Sequence, residues 1–230
     1  MTINQLASSA VPATAGDTAR GTSSAAVTGR RHRLLTVTGA VGIGYTLSWI
    51  AGLAVPAPSP KFSASGAQII SAVAGHAPAL ALQYTLTEGL PAAGIAVVGI
   101  ALARFTGSRL VMAAAVTAAA ISVLQFCLGI WLTATSSPVT AHVLFQMVNR
   151  MDGVKMLILA VLGAGVAAAS VLPRWLRWTG AALAVAIAVS GVVYLLLLQS
   201  LGLLAGPALA LLLIFITGAG IWLGGIVRGR

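Results

Sequence analysis

Six apolar stretches, residues 34–55, 79–103, 110–133, 154–171, 175–198 and 207–227, follow one another along the chain with short connections between them. Each is close to the ~20 residues that a helix needs to cross the hydrocarbon of a bilayer. With 59% hydrophobic and only 7% charged residues, the chain is far from a water-soluble domain, in which charged residues approach about a quarter of the total. The pattern predicts an all-α fold: a polytopic membrane bundle of about six transmembrane helices, with the lipid bilayer as its main partner. No room is left for a large soluble domain in 230 residues.

The basic residues punctuate the apolar stretches instead of forming one surface. Arg20, Arg30, Arg31 and Arg33 precede the first stretch, Arg104 and Arg109 separate the second from the third, Arg174 and Arg177 separate the fourth from the fifth, and Arg228 and Arg230 follow the sixth. By the positive-inside rule this places both termini in the cytoplasm of a cell-membrane protein. The opposite loops keep only Lys61, Arg150 and Lys155. The net charge of +10 is thus an orientation signal and not a nucleic-acid footprint, which requires clustering on a folded surface. Trp49 and Trp131 fall near the outward ends of their spans and Trp175, Trp178 and Trp222 near the inward ends, as expected of headgroup-level rings. Residues 1–33 are rich in Ala, Ser, Thr and Gly without apolar periodicity and read as a disordered cytoplasmic tail; residues 34–230 form the membrane domain. The first stretch is longer than the apolar core of a signal peptide and reads as a retained span. Glycines inside the spans, Gly39, Gly42, Gly44, Gly163, Gly165, Gly220 and Gly224 among them, read as sites of close helix packing.

Two outward loops predict short helices. After Pro56, Pro58 and Pro60, Ser65 caps a helix whose Ile69, Ile70 and Val73 suit a segment lying on the outer membrane surface. Ser137 followed by Pro138 opens another, with Val139, Val143, Phe145 and Met147 interleaved with His142, Gln146 and Asn149. Together these interfacial helices would roof the outward face. Residues 199–206 are too short for more than a tight hairpin between the fifth and sixth spans.

Chemistry must come from very few groups. Asp17, Glu88 and Asp152 are the only acids, beside three histidines and one cysteine, which excludes multi-carboxylate metal sites, zinc clusters and dithiol redox centres and implies no cofactor. Ionisable residues within spans are costly and face a bundle interior or water. At the helical rise, Glu88 stands about 24 Å from Arg104, Gln125 about 24 Å from Arg109 and Lys155 about 28 Å from Arg174, so several spans bring polar groups to one depth in the outer half. Tyr194 reaches a similar level, and Arg150, Asp152, His142 and Gln146 lie near the outer boundary. Pro91 removes a helical donor from the carbonyl of Thr87, and Gly89 loosens the same turn, so a bend is expected at 87–91 with a polar cavity beside it. Glu88 there is either a proton donor or substrate contact, or half of a structural ion pair with Lys155. Asp152 and Lys155, one turn apart, can also pair with each other. Cys127 reads as packing.

With Asn149-Arg150-Met151-Asp152-Gly153 before the fourth span and Leu172-Pro173-Arg174-Trp175-Leu176 after it, the chain resembles a bacterial family of small six-span membrane proteins known by a domain of unknown function. The resemblance implies the fold and no activity. In architecture alone, with acids on different spans, it is also similar to small integral-membrane terpenoid cyclases, which protonate lipophilic polyenes with intramembrane carboxylic acids. That similarity implies a membrane enzyme acting on a terpenoid or prenylated substrate, with Glu88 and Asp152 catalytic and Gln125, Arg150, Lys155, His142 and Tyr194 around the substrate. The alternative readings are a small proton-coupled transporter or export accessory in which Glu88 couples to protons, and a non-catalytic membrane subunit.

Overall fold

The computed structural model describes residues 37–228; the tail at 1–33 and the start of the first stretch lie outside the described residues. Among those residues the chain is predominantly helical, without strands. The helices are α1 (Val37–Leu53), α2 (Gly66–Val73), α3 (Ala77–Tyr84), a π turn (Thr85–Gly89), α4 (Leu90–Thr106), α5 (Arg109–Ala134), α6 (Pro138–Ala168), α7 (Arg174–Leu195), a 3₁₀ turn (Gln199–Leu204) and α8 (Ala205–Arg228). With α3, the π turn and α4 running on as one 30-residue rod, five helices are long and apolar enough to cross a membrane, and α1 is a shorter apolar helix.

The connections follow local chemistry. Gly107 ends α4 in the left-handed conformation (φ 70°), which costs a glycine nothing, and donates its N–H to Ala103 O. Ser108 immediately caps α5, accepting from Val111 N at 3.3 Å. Two residues thus reverse the chain between α4 and α5. Ser137 caps α6 with Pro138 in its first turn, and the 3₁₀ turn makes the expected hairpin between α7 and α8.

Neighbouring helices close a ring. α4 packs on α5, α5 on α6, α6 on α7, and α7 on α8. α1 completes it: Gly42 lies against the α8 backbone at Ile216 and Gly220, Thr217 Oγ1 donates to Gly42 O at 3.0 Å, and Thr46 and Thr217 share a 2.6 Å hydroxyl bond. Hydroxyl bonds of this kind hold helices together where lipid offers no competing partner. The outer surface is apolar, with Leu47, Ile50, Val123, Trp131, Val185 and Ile214 all exposed, the reverse of a soluble protein and compatible with contact to a bilayer. Cys127 is on this exposed face rather than packed inside.

Two apolar cores fill the ring. The larger contains Val98, Leu102, Ala115, Leu159, Leu162, Leu183 and Phe215; the smaller contains Ile69, Leu80, Leu132, Ala141, Leu144 and Phe145. On the α3–α4 rod, on α5 and on α6, the buried polar residues fall between members of one core and members of the other.

Two sequence expectations change here. The helix opened by Ser137 is not a separate roof element but the first part of α6, whose 31 residues span about 46 Å, well beyond the ~30 Å of hydrocarbon. No breaker intervenes, since Gly153 is set in a contact and costs the helix only about 1 kcal/mol. The first-loop helix α2 is capped by Ser65 through a full capping box, and its apolar residues are turned onto protein. Ile69 is wholly buried and packs with Val73 on Leu132, Ala141, Leu144 and Phe145. The projecting start of α6 gives α2 an apolar wall to cover.

The α6–α7 contact tests this packing. A Cβ on Gly163 would stand 2.7 Å from Gly180 O, whereas one on Gly44 meets nothing within 4 Å. Gly163→Ala is expected to lower stability by about 1–3 kcal/mol through overpacking, read as a lower melting temperature in detergent, while Gly44→Ala leaves it unchanged or raised.

Candidate functional site

Pro91 sets the backbone of the site. It has no N–H, and the helix answers by widening: Leu90 N–H donates to Thr85 O, five residues back, instead of to Leu86 O. The next donor in that register belongs to Pro91, so Leu86 O leaves the ladder. Ser48 on α1 supplies the missing hydrogen, its Oγ donating to Leu86 O at 2.5 Å. The sequence expectation of a bend at 87–91 is thus realised as a π turn one register earlier, and the carbonyl that is rescued is Leu86, not Thr87. Wide turns of this kind recur at functional sites because they re-aim side chains. Here the one re-aimed is Glu88, buried in the π turn.

Glu88 meets Lys155 of α6. Lys155 Nζ donates to Glu88 Oε1 at 2.9 Å and to Oε2 at 2.7 Å, and the same ammonium lies 2.7 Å from Asp152 Oδ1. The two pairings open in the sequence therefore exist at once. Gln125 of α5 joins them, its Nε2 donating to Asp152 Oδ1 at 3.4 Å and to Val148 O at 3.2 Å. The buried Ser122 hydroxyl serves the Glu88 carboxylate from the same helix. Tyr45, Tyr84 and Tyr194, the chain's three tyrosines, all lie within electrostatic reach of Asp152. Counted with both acids ionised, two carboxylates on one ammonium leave the cluster one negative charge in excess.

Against this cluster lies a cavity of about 250 Å³ whose wall includes Glu88, Gln125, Asp152 and Tyr194, with Trp49, Tyr84 and Asn149. Pro58, Ser59, Pro60, Ile69 and Val73 also line it, so the first loop and α2 form its cover. Lys155 is outside the lining, buried beside the two acids. Two polar atoms on residues that line it are buried without a completed hydrogen bond, Trp49 Nε1 and Gln125 Oε1; the Tyr45 hydroxyl, one turn earlier on α1, approaches Trp49 Nε1 without completing one. A donor and an acceptor with bonding capacity left over therefore belong to residues that line one cavity.

Of the residues singled out in the sequence, Glu88, Asp152, Gln125, Lys155 and Tyr194 come together. Arg150 and His142 do not. Arg150 is exposed on α6 because it is a half-turn from Asp152 and points off the opposite face. His142 is occupied by the cover: its Nδ1 faces Ala64 O at 3.2 Å and its Nε2 faces Gln146 Nε2 at 3.0 Å. A neutral ring carrying its hydrogen on Nδ1 satisfies both bonds, so His142 ties the segment before α2 to α6. Trp49 lines the cavity, while Trp131 is exposed. Trp222 packs edge-on against Phe105 at 5.1 Å. Tyr45, Tyr84 and Ser122 were not singled out, although a tyrosine within an apolar span is the type of signal that marked Tyr194.

Comparison of the chain with family models, with curated proteins and with solved structures gave no match. The chemistry of the cavity rests on its own residues.

Two outcomes follow from the bonding. Lys155→Met strands two carboxylates among apolar side chains and is expected to cost about 3–5 kcal/mol. The triple variant Glu88→Gln/Asp152→Asn/Lys155→Met recovers most of that in detergent melts; equal losses in the two would mean that the charges do not hold the helices. Ser48→Ala leaves Leu86 O bare and is expected to cost about 1–3 kcal/mol. Adding Pro91→Ala, which supplies an N–H at that position, recovers part of the loss.

Proposed function

We propose that the chain is a six-span protein of the cell membrane with both termini cytoplasmic, and that its cavity opens outward to take a small amphipathic solute whose movement is coupled to a proton at the Glu88–Lys155–Asp152 cluster. The observation that carries this reading is a pair of carboxylates sharing one ammonium beside a cavity, between two apolar cores. Uncompensated charge at such depth is expensive. A site with one negative charge in excess is neutralised either by a proton or by a ligand, and exchange between the two is the elementary step of coupled transport. The wide π turn and the single tie from Ser48 place Glu88 on the least regular backbone of its helix, where a change of register costs least. Apolar α1 and the arginines at one end of α4, α5 and α7 support the span count and the orientation.

Acid catalysis on a lipophilic substrate is the second reading, and the bonding shifts it from Glu88 to Asp152. Lys155 engages both Glu88 oxygens, so Glu88 exchanges a proton only when that pair opens, as a change of register in the π turn would allow, and is not poised as an acid toward a substrate. Asp152 makes its bonds through Oδ1, which leaves Oδ2 as the oxygen available to a substrate.

Cells expressing the chain or its Glu88→Gln variant, loaded with a panel of small amphipathic solutes and placed in an imposed pH gradient, separate the readings. Solute movement that follows the gradient and is lost in Glu88→Gln is the expected outcome. Movement indifferent to the gradient would remove the coupling. Conversion of a prenylated substrate that is lost in Asp152→Asn would replace transport by catalysis.

A further inference from the structure

We infer that the solute taken by this cavity is a small organic amine, bound as its ammonium ion and carrying an oxygen acceptor a few bonds away; the inference rests on the cavity being a small-solute site. Charge selects the cation. A bound ammonium neutralises the cluster of Glu88, Asp152 and Lys155, whereas a bound anion would double its excess charge in a place where water cannot screen it.

Hydrogen bonding points the same way. Gln125, only 1% exposed, spends its Nε2 on Asp152 and Val148 and leaves Oε1 without a donor. Asp152 Oδ1 is already bonded to Gln125 and Lys155, so Oδ2 is its remaining acceptor. Two acceptors carried by lining side chains that are bonded to each other suit a group with several N–H donors, and an ammonium has three. A buried acceptor left unmet weakens binding by roughly five- to a hundredfold, so a ligand that meets it is preferred by about that factor over one that does not.

The walls complete the recognition. Trp49, Tyr84 and Tyr194 line the cavity beside the acids, and aromatic faces attract organic cations where water is excluded. Among the described residues Trp49 Nε1 is a buried donor without a completed bond to an acceptor, and an oxygen on the ligand would receive it. At about 250 Å³ the space lies at the small end of ligand pockets, which commonly hold ~300–1,000 Å³, so the amine is small.

The test uses the full chain purified in detergent, titrated by calorimetry against protein-free micelles as reference. The probes are 2-amino-1-phenylethanol, its neutral counterpart 1-phenylpropan-1-ol and its anionic counterpart 3-hydroxy-3-phenylpropanoate. The amine is expected to bind about tenfold or more tightly than the alcohol, and the carboxylate not at all. Asp152→Asn should weaken the amine about tenfold and leave the alcohol unchanged. Trp49→Phe, which keeps the ring and removes the N–H, should abolish the preference for 2-amino-1-phenylethanol over 2-phenylethylamine; this variant leaves the charged cluster intact and so answers even if Asp152→Asn fails to fold. An alcohol that binds as well as the amine, or an amine indifferent to Asp152→Asn in a folded variant, overturns the cation assignment and leaves the small-solute cavity standing. If none of the probes binds, both the assignment and the cavity's role as a solute site fall.

Discussion

Lys155 carries a charge among apolar helices, and the bundle is arranged around the way that charge is compensated. An ammonium buried in such surroundings survives only if carboxylates and hydrogen bonds replace its water. Glu88 arrives from the rod of α3 and α4, Asp152 from one turn earlier on α6 itself, and Gln125 from α5 to steady Asp152. Three helices are therefore fixed in rotation and depth by one group. Apolar packing alone would not fix them so narrowly, because a ring of leucines and alanines in lipid can slide with little change in what it touches.

The second constraint is the proline that makes Glu88 reach. A regular helix through 85–91 would place residue 88 on a different face, since a π turn inserts an extra residue and rotates everything beyond it. Pro91 forbids the regular ladder, Leu86 O is left over, and Ser48 repairs it from another helix. Thus a defect in one span is stabilised by a hydroxyl in a neighbour, and the charged cluster depends on both. Beside this cluster the cover built by α2 closes on the projecting start of α6, with His142 bonded to Ala64 O.

Much of the frame was legible in the residues. The stretches at 110–133 and 175–198 correspond to α5 and α7 within a few residues, because a span needs only length and apolarity. Ser65 and Ser137 were readable as caps because a cap is a local bond between a side chain and the first turn. The common depth of Glu88, Gln125 and Lys155 was readable from the rise of a helix alone. Rotation was not. Arg150 and Asp152 are two residues apart, and only the packing of α6 shows that one is on its exposed face and the other at the cavity. Trp49 likewise sat at the depth of a headgroup anchor, yet it turns inward because Gly52, a turn further on α1, lets that helix press against Leu86 and Thr87.

The sequence by itself determined that the chain is helical, apolar on its outside and nearly without charge inside, because those properties belong to single stretches and their composition. It also determined which few residues any chemistry would have to use. Only the tertiary structure decided that Glu88 and Asp152 share Lys155, that Leu86 O needs Ser48, and that α2 covers a cavity. The physical reason is that buried charges and broken ladders are satisfied by partners far apart in the chain, 67 residues for Lys155 and Glu88 and 38 for Ser48 and Leu86. Such pairings depend on how helices rotate against one another, which no single helix records.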